Sequence, residues 1–325
     1  MTPLWKHALS RLRGSYDPTT QSMRKRMPSF PSTYPLEASG FEPRIFDPSL
    51  RHFSNAFRLK EPVIDSDKDQ ALWKQTRRAV IDHVLQVTAS TPYRDNLVLR
   101  GSLLLQAWLG DAARDPGDID WVFQPPSVGI NDDTAFELFE TILWALTEAP
   151  HIGDIVIDTD QAAVEDIWTY ERAAGRRVLL PWDAPGLPRG YVQMDIVFSE
   201  EIFDAPIEVQ IPTGDVTFVP VHAASKELSL AWKIMWLESD SYPQGKDLYD
   251  AVLLAERTYL PPALIKRVFD SVEWTWEPKL NPESILDWDV DWNNFRNEYP
   301  WVRGDVKDWK ERLIEALAPT FTEDK

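Results

Sequence analysis

The sequence predicts an α/β (α+β) protein in which a mixed-sheet domain with helices is followed by a helical C-terminal lobe. Three observations carry this. Short apolar runs alternate with helically spaced ones between residues 69 and 198, only helical spacing appears beyond about residue 222, and 43% hydrophobic content over 325 residues suffices for a sizeable core. The expected organisation is a mostly irregular basic arm over 1–66, the sheet domain over 67–221, and the helical lobe with a Trp-rich acidic end over 222–325.

Residues 14–66 are rich in Pro, Ser, Asp and Arg and show no sustained period, which predicts an irregular arm ending near Glu61-Pro62. From Asp69 the spacing Leu72, Ala79/Val80, Val84, Val87 predicts a helix, and Thr91-Pro92 leads from it into a strand at Leu97-Val98-Leu99. Gly101-Ser102 then opens an apolar helix over Leu103–Leu109. The turn residues Asp115-Pro116-Gly117 precede a strand, Asp118-Ile119-Asp120-Trp121-Val122-Phe123. Phe136, Phe139, Leu143 and Leu146 mark another helix. Alternating Ile155 and Ile157, a Gly/Pro-rich loop and the strand Tyr191–Phe198 follow. Beyond it the pattern predicts helices over 223–238, 246–257, 261–269 and 306–317.

Composition excludes several chemistries. With no cysteine there is no disulfide, thiolate nucleophile or Cys-type zinc site. The five histidines, at 7, 52, 83, 151 and 222, include no i, i+4 pair. No stretch approaches the roughly 18 apolar residues of a membrane span, and the basic start lacks a following signal core, so a cytoplasmic protein is expected. The net charge of -18 argues against a nucleic-acid partner, but it is unevenly distributed. Residues 1–60 hold ten basic and four acidic side chains, a segment at +6, which leaves the remainder at -24. Such an arm suits either a polyanion or the protein's own acidic body. The tryptophans at 274, 276, 288, 292, 301 and 309 read as core in a helical region rather than as base-stacking platforms.

The chemistry concentrates in Asp118-Ile119-Asp120. Side chains alternate along a strand, so both carboxylates share one face, and their repulsion calls for a cation. Hard oxygen ligands suit Mg²⁺ or Mn²⁺ bound together with phosphate oxygens. Asp195, in a second alternating strand, is the candidate third carboxylate, and such a trio fits metal-assisted phosphoryl transfer. Gly101-Ser102, between strand and helix, places backbone N–H groups and a hydroxyl where a phosphate can approach.

The run Val98-Leu99-Arg100-Gly101-Ser102-Leu103-Leu104-Leu105, with Gly110, Arg114 and Gly117-Asp118-Ile119-Asp120-Trp121-Val122-Phe123, resembles the first motif of the AbiEii/AbiGii nucleotidyltransferases of the polymerase-beta-like superfamily. Ala223–Lys233 followed by Lys246-Asp247-Leu248-Tyr249-Asp250 resembles that family's helical motif. The resemblance covers roughly residues 69–260. It departs at Arg100, where Gly is more usual, at Gly117, where Ser or Glu is, and at Lys246, where Arg is. The resemblance implies an N-terminal nucleotidyltransferase domain that uses an NTP and divalent metal, with Asp118, Asp120 and Asp195 as metal ligands. It further implies that Gly101, Ser102 and Lys233 bind the nucleotide and that Lys233 and Asp247 join the catalytic set. Asp247 also has an ordinary role open to it as a helix N-terminal charge, and Asp250 either shares its face or is solvated. The family's members suggest a type IV toxin or phage-defence component with a cognate antitoxin and an RNA acceptor, the 3′ end of tRNA. A small-molecule or protein hydroxyl, and a catalytically silent binding module, are the rival expectations.

Overall fold

The computed structural model describes residues 5–6, 9–10, 62, 64–167, 173–214, 217–240, 243–272, 278 and 280–322. Nearly all of the expected arm therefore lies outside the described residues, as do Trp274 and Trp276. Near the start of the chain, Trp5 and Leu9 are buried, and Trp5 meets Trp144 edge-on at 5.9 Å.

Helix α1 (Asp67–Ala89) begins where the Ser66 hydroxyl accepts from the Asp69 amide at 3.3 Å, satisfying one of the unpaired donors of a helix start. β1 (Leu97–Arg100), α2 (Ser102–Leu109), β2 (Asp118–Phe123) and α3 (Asp133–Glu148) follow as the pattern predicted. The other strands are β3 (His151–Ile152), β4 (Ile155–Ile157), β5 (Ala163–Asp166), β6 (Gly175–Asp183), β7 (Gly190–Val197), β8 (Ile207–Thr213) and β9 (Thr217–Ala223). They form one nine-stranded sheet in the order β3-β4-β6-β7-β2-β1-β9-β8, with β5 paired to β6. The sheet is mixed: β2 runs parallel to β7 and β1 parallel to β9, whereas β1 and β2 are antiparallel. Helices α4 (Lys226–Ser239), α5 (Gly245–Ala255), α6 (Pro262–Asp270), α7 (Pro282–Asp287), α8 (Trp292–Glu298) and α9 (Val306–Thr322) complete the chain.

The structure adds strands that the sequence pattern concealed. The expected Gly/Pro-rich loop before residue 191 contains β5 and β6. β6 is buried along nearly all its length, so it shows no alternation, and it carries the arginines Arg176 and Arg177 and Pro181. Arg176 is fully buried and donates to Asp166 at 2.9 Å and to the Ile130 carbonyl at 2.9 Å. Ala223, expected to open a helix, instead closes β9. Ser225 then caps α4 by accepting from the Leu228 amide at 3.0 Å.

The two faces of β2 meet different partners. Ile119, Trp121 and Phe123 join an apolar cluster with α1 and α3, where each buried side chain contributes about 1.5–3 kcal/mol. Val122, on the face that also carries Asp118 and Asp120, joins a second cluster with α4 to α9. The carboxylates therefore look toward the helices. In that second cluster Tyr249 stacks on Trp309 at 4.9 Å and on Phe295 at 5.5 Å, and Trp292 lies 5.5 Å from Trp309. Trp288, Trp292 and Trp309 are core residues, as expected, whereas Trp301 is 60% exposed. No helix among the described residues is long and apolar enough to cross a membrane.

This aromatic packing fixes the start of α5 against α8. A Cβ on Gly245 would lie 2.5 Å from the Phe295 Cβ and 3.0 Å from the Asp291 carbonyl oxygen, and neither can move freely. Gly245→Ala is expected to lower stability by about 1–3 kcal/mol, an overpacking cost to be measured by urea unfolding.

Candidate active site

The site is built on three neighbouring strands. Asp118 and Asp120 share a face of β2, and in the parallel ladder Asp120 stands opposite Asp195 of β7. On the other side of β2, Asp120 pairs with Arg100 of β1. Three carboxylates thus fall on one face of two adjacent strands. Gly101, directly after β1, turns the chain with φ +82°, and a Cβ there would lie 2.2 Å from the Asp120 Oδ2. Only glycine both tolerates that backbone and lets it touch the carboxylate. The next residue, Ser102, donates its hydroxyl to Asp118 Oδ1 at 3.3 Å. The Gly-Ser pair therefore embraces both carboxylates of β2.

The charges are unequally compensated. Arg177 of β6 donates to both oxygens of Asp195, at 2.9 and 2.8 Å, and Gln193 adds a donor at 3.3 Å. Arg100 turns its guanidinium to Glu200, with both oxygens at 2.8 Å, and lies over Trp232 and Trp236 at 5.4 and 5.6 Å. Burial together with the charges of Asp118 and Asp195 pushes the Asp120 carboxyl up to about 8, despite the opposing pull of Arg100 and Lys246. A carboxyl held that high is one that a bound cation would return to its ionised form.

A second set of charges lies in the helices facing this strand. Lys233 of α4 donates to Asp247 Oδ1 at 2.7 Å and sits 3.1 Å from Asp250 Oδ2, both on α5. Arg114, in the connection before β2, grips Asp250 through two bonds of 2.9 and 2.7 Å. Burial disfavours the Lys233 ammonium, but Asp247 and Asp250 overcome it and raise its pKa, so it remains an ammonium. Burial likewise disfavours the Asp250 carboxylate, yet Arg114 and Lys233 hold it below the usual range. Asp247 stands in the first turn of α5 but is buried against Lys233, and Asp250 is 2% exposed rather than solvated.

The candidates named from sequence fall into two neighbouring groups. Gly101, Ser102, Asp118, Asp120 and Asp195 gather on the sheet, and Lys233 and Asp247 meet in the helices. Lys246, at the start of α5, links the two through its electrostatic pull on Asp120. Asp195 holds the expected position, but its oxygens are taken by Arg177. Among the described residues no three His, Asp or Glu side chains converge as a ready-made metal cage. Asp118 and Asp120 nonetheless suit Mg²⁺, which usually takes one or two carboxylates and completes its shell with water and substrate phosphates. Sequence reasoning did not identify Arg177 or assign a role to Arg114. Arg177 is 18 residues from Asp195 and Arg114 is 136 from Asp250, and only strand pairing or helix docking brings them together. Of the histidines, His83 meets the Ala149 carbonyl at 2.7 Å and His222 lies beside Asp95, so neither serves the site.

Two outcomes follow from these charges. Asp120 keeps its proton in the folded chain up to about pH 8 but loses it near pH 4 when unfolded, so in chelator the folded state should lose stability as pH rises from about 4 to about 8. Urea midpoints at pH 5 and pH 8 should differ more in the wild type than in Asp120→Asn. Removing Asp250 by Asp250→Ala deprives the buried Arg114 of its bidentate partner and leaves Lys233 with Asp247, and should cost about 3–5 kcal/mol in the same assay.

Comparison with known proteins gives the family and the fold. Residues 83–315 match the family described as nucleotidyl transferase AbiEii toxin, type IV toxin–antitoxin system. Among solved structures, the fold resembles MenT4, a nucleotidyltransferase toxin from Mycobacterium tuberculosis H37Rv. That match has 15% identity and a TM-score of 0.51 and covers 79% of this chain and 86% of that one. No curated protein gives a significant match to the sequence. The family match spans most of the chain and includes both groups of site residues: the chain belongs to the AbiEii nucleotidyltransferase toxins.

Proposed function

We propose that this nucleotidyltransferase moves an NMP from an NTP to a hydroxyl of RNA, at the 3′ end of tRNA, as the toxin of a type IV pair or a phage-defence component in the cytoplasm. The observation that carries the phosphoryl-transfer half of this reading is the Asp118–Asp120 pair pressed against Gly101, with Asp120 pushed up to about 8. That pair would hold Mg²⁺ or Mn²⁺. A divalent ion bound there would neutralise the carboxylates and polarise the phosphate oxygens of the substrate.

The remaining work falls to the protein's own groups. Gly101 and the start of α2 let a phosphate approach the backbone, and the Ser102 hydroxyl keeps Asp118 oriented. Lys233, held protonated by Asp247 and Asp250, supplies positive charge where the leaving pyrophosphate gathers negative charge. Asp195 would serve as a further metal ligand or as a base for the attacking hydroxyl on release from Arg177. The acceptor is proposed from kinship rather than from bulk charge. The net charge of -18 favours the second reading, a small-molecule or protein hydroxyl. A cognate antitoxin would complete the toxin pair.

The test is transfer of label from each NTP, with Mg²⁺ and total RNA, beside an Asp118→Ala/Asp120→Ala control. Label on small RNA, lost in the control by at least about a hundredfold as expected for removing such electrostatic groups, supports the proposal. Label on protein or a small molecule would transfer the assignment to the second reading. No label on any acceptor would defeat both.

A further inference from the structure

Beside the carboxylates, between α2 and α4, lies a cleft lined by Arg100, Gly101, Leu105, Ser229, Trp232, Lys233 and Trp236. It encloses about 240 Å³ of space, counting its open mouth. Every polar side chain in its lining carries a hydrogen-bond donor. Arg100 and Lys233 are cations and Ser229 is a hydroxyl, whereas no carboxylate among the described residues lines it.

Ser229 is the unexplained member. It is 8% exposed, and its Oγ has no hydrogen-bond partner among the described residues. A buried hydroxyl left without a partner is a standing cost that native proteins rarely retain without a reason. Mid-helix serines commonly return their hydroxyl to the carbonyl one turn earlier, and this one does not. It stands one turn before Lys233 on the same face of α4, so the two side chains reach the same space. Lys233 uses two of its three N–H donors on Asp247 and Asp250. The third is left for the cleft. Gly101 forms the opposite wall and is itself in contact with Asp120, so an anion in the cleft would be continuous with a nucleotide held at the carboxylates.

We propose that Ser229 is a phosphate-binding residue: its hydroxyl and Lys233 hold oxygens of the terminal phosphates of the nucleoside triphosphate, and so of the pyrophosphate that leaves. This rests on the nucleotidyltransferase reading of the site, and it assigns a role to a residue that lies within the helical motif but to which the motif gave none. The apolar remainder, Leu105, Trp232 and Trp236, shields the bond from water and strengthens it.

Inorganic pyrophosphate is the probe. Titration calorimetry on the full chain with Mg²⁺ should show binding by the wild type, weakened about tenfold or more in Ser229→Ala, as for loss of a hydrogen bond to a charged group, and restored in Ser229→Thr. Because the hydroxyl bonds nothing among the described residues, Ser229→Ala should melt at or above the wild-type temperature. Unchanged pyrophosphate affinity in Ser229→Ala, no binding by the wild type, or a lowered melting temperature in Ser229→Ala would each overturn the proposal. The two readings fail separately. Serine-dependent pyrophosphate binding without nucleotidyl transfer to any acceptor would defeat the enzyme assignment alone, and transfer with unaltered affinity in Ser229→Ala would defeat the subsite alone.

Discussion

Asp118, Asp120 and Asp195 stand on one face of two adjacent parallel strands, and their mutual repulsion is the constraint that the surrounding residues answer. Each carboxylate is met differently. Arg177 neutralises Asp195 from the next strand, and Ser102 donates to Asp118. Asp120, wedged against Gly101 with a like charge on either side, is left to hold a proton. On the proposed reading the asymmetry has a chemical use. Two carboxylates of β2 remain available to a cation, whereas the third is held in reserve by a bidentate arginine.

The helical half answers the same constraint from the opposite side. Lys233, Asp247, Asp250 and Arg114 form a buried, mutually bonded set, and its ion pairs keep Lys233, Asp250 and Arg114 charged. Such sets contribute little net stability over an apolar alternative, because desolvation offsets most of the Coulomb gain, but they fix side chains in place. The aromatic cluster of Tyr249, Trp292, Phe295 and Trp309 holds α5 in register with α8 and α9, and α5 carries both aspartates. Packing of bulky rings thereby sets the position of a lysine on another helix.

The two halves meet where Val122 and Leu105 enter the helical core. This contact turns the carboxylate face of β2 toward α4 and α5, so Lys246 reaches Asp120 electrostatically and Lys233 lines a cleft whose other wall is Gly101. On the proposed reading a substrate entering there would meet donors on the helix side and carboxylates on the sheet side, the polarity that a metal-bound triphosphate requires.

The sequence by itself determined the local chemistry. The spacing of Asp118 and Asp120, the Gly101-Ser102 pair between strand and helix, and the alternation around Asp195 placed five site residues on recognisable elements, because strand period and turn chemistry are local properties. Lys233 and Asp247 were legible through resemblance to a family motif. Only the tertiary structure decided which charges compensate which. Arg177 reaches Asp195 through pairing of β6, a strand hidden from pattern because it is buried along nearly its whole length, and Arg114 reaches Asp250 across 136 residues of the chain. The orphaned hydroxyl of Ser229 is likewise invisible in one dimension. A serine in a helix has no signature until packing removes its water and leaves it facing a cleft, and that depends on contacts that no local period encodes.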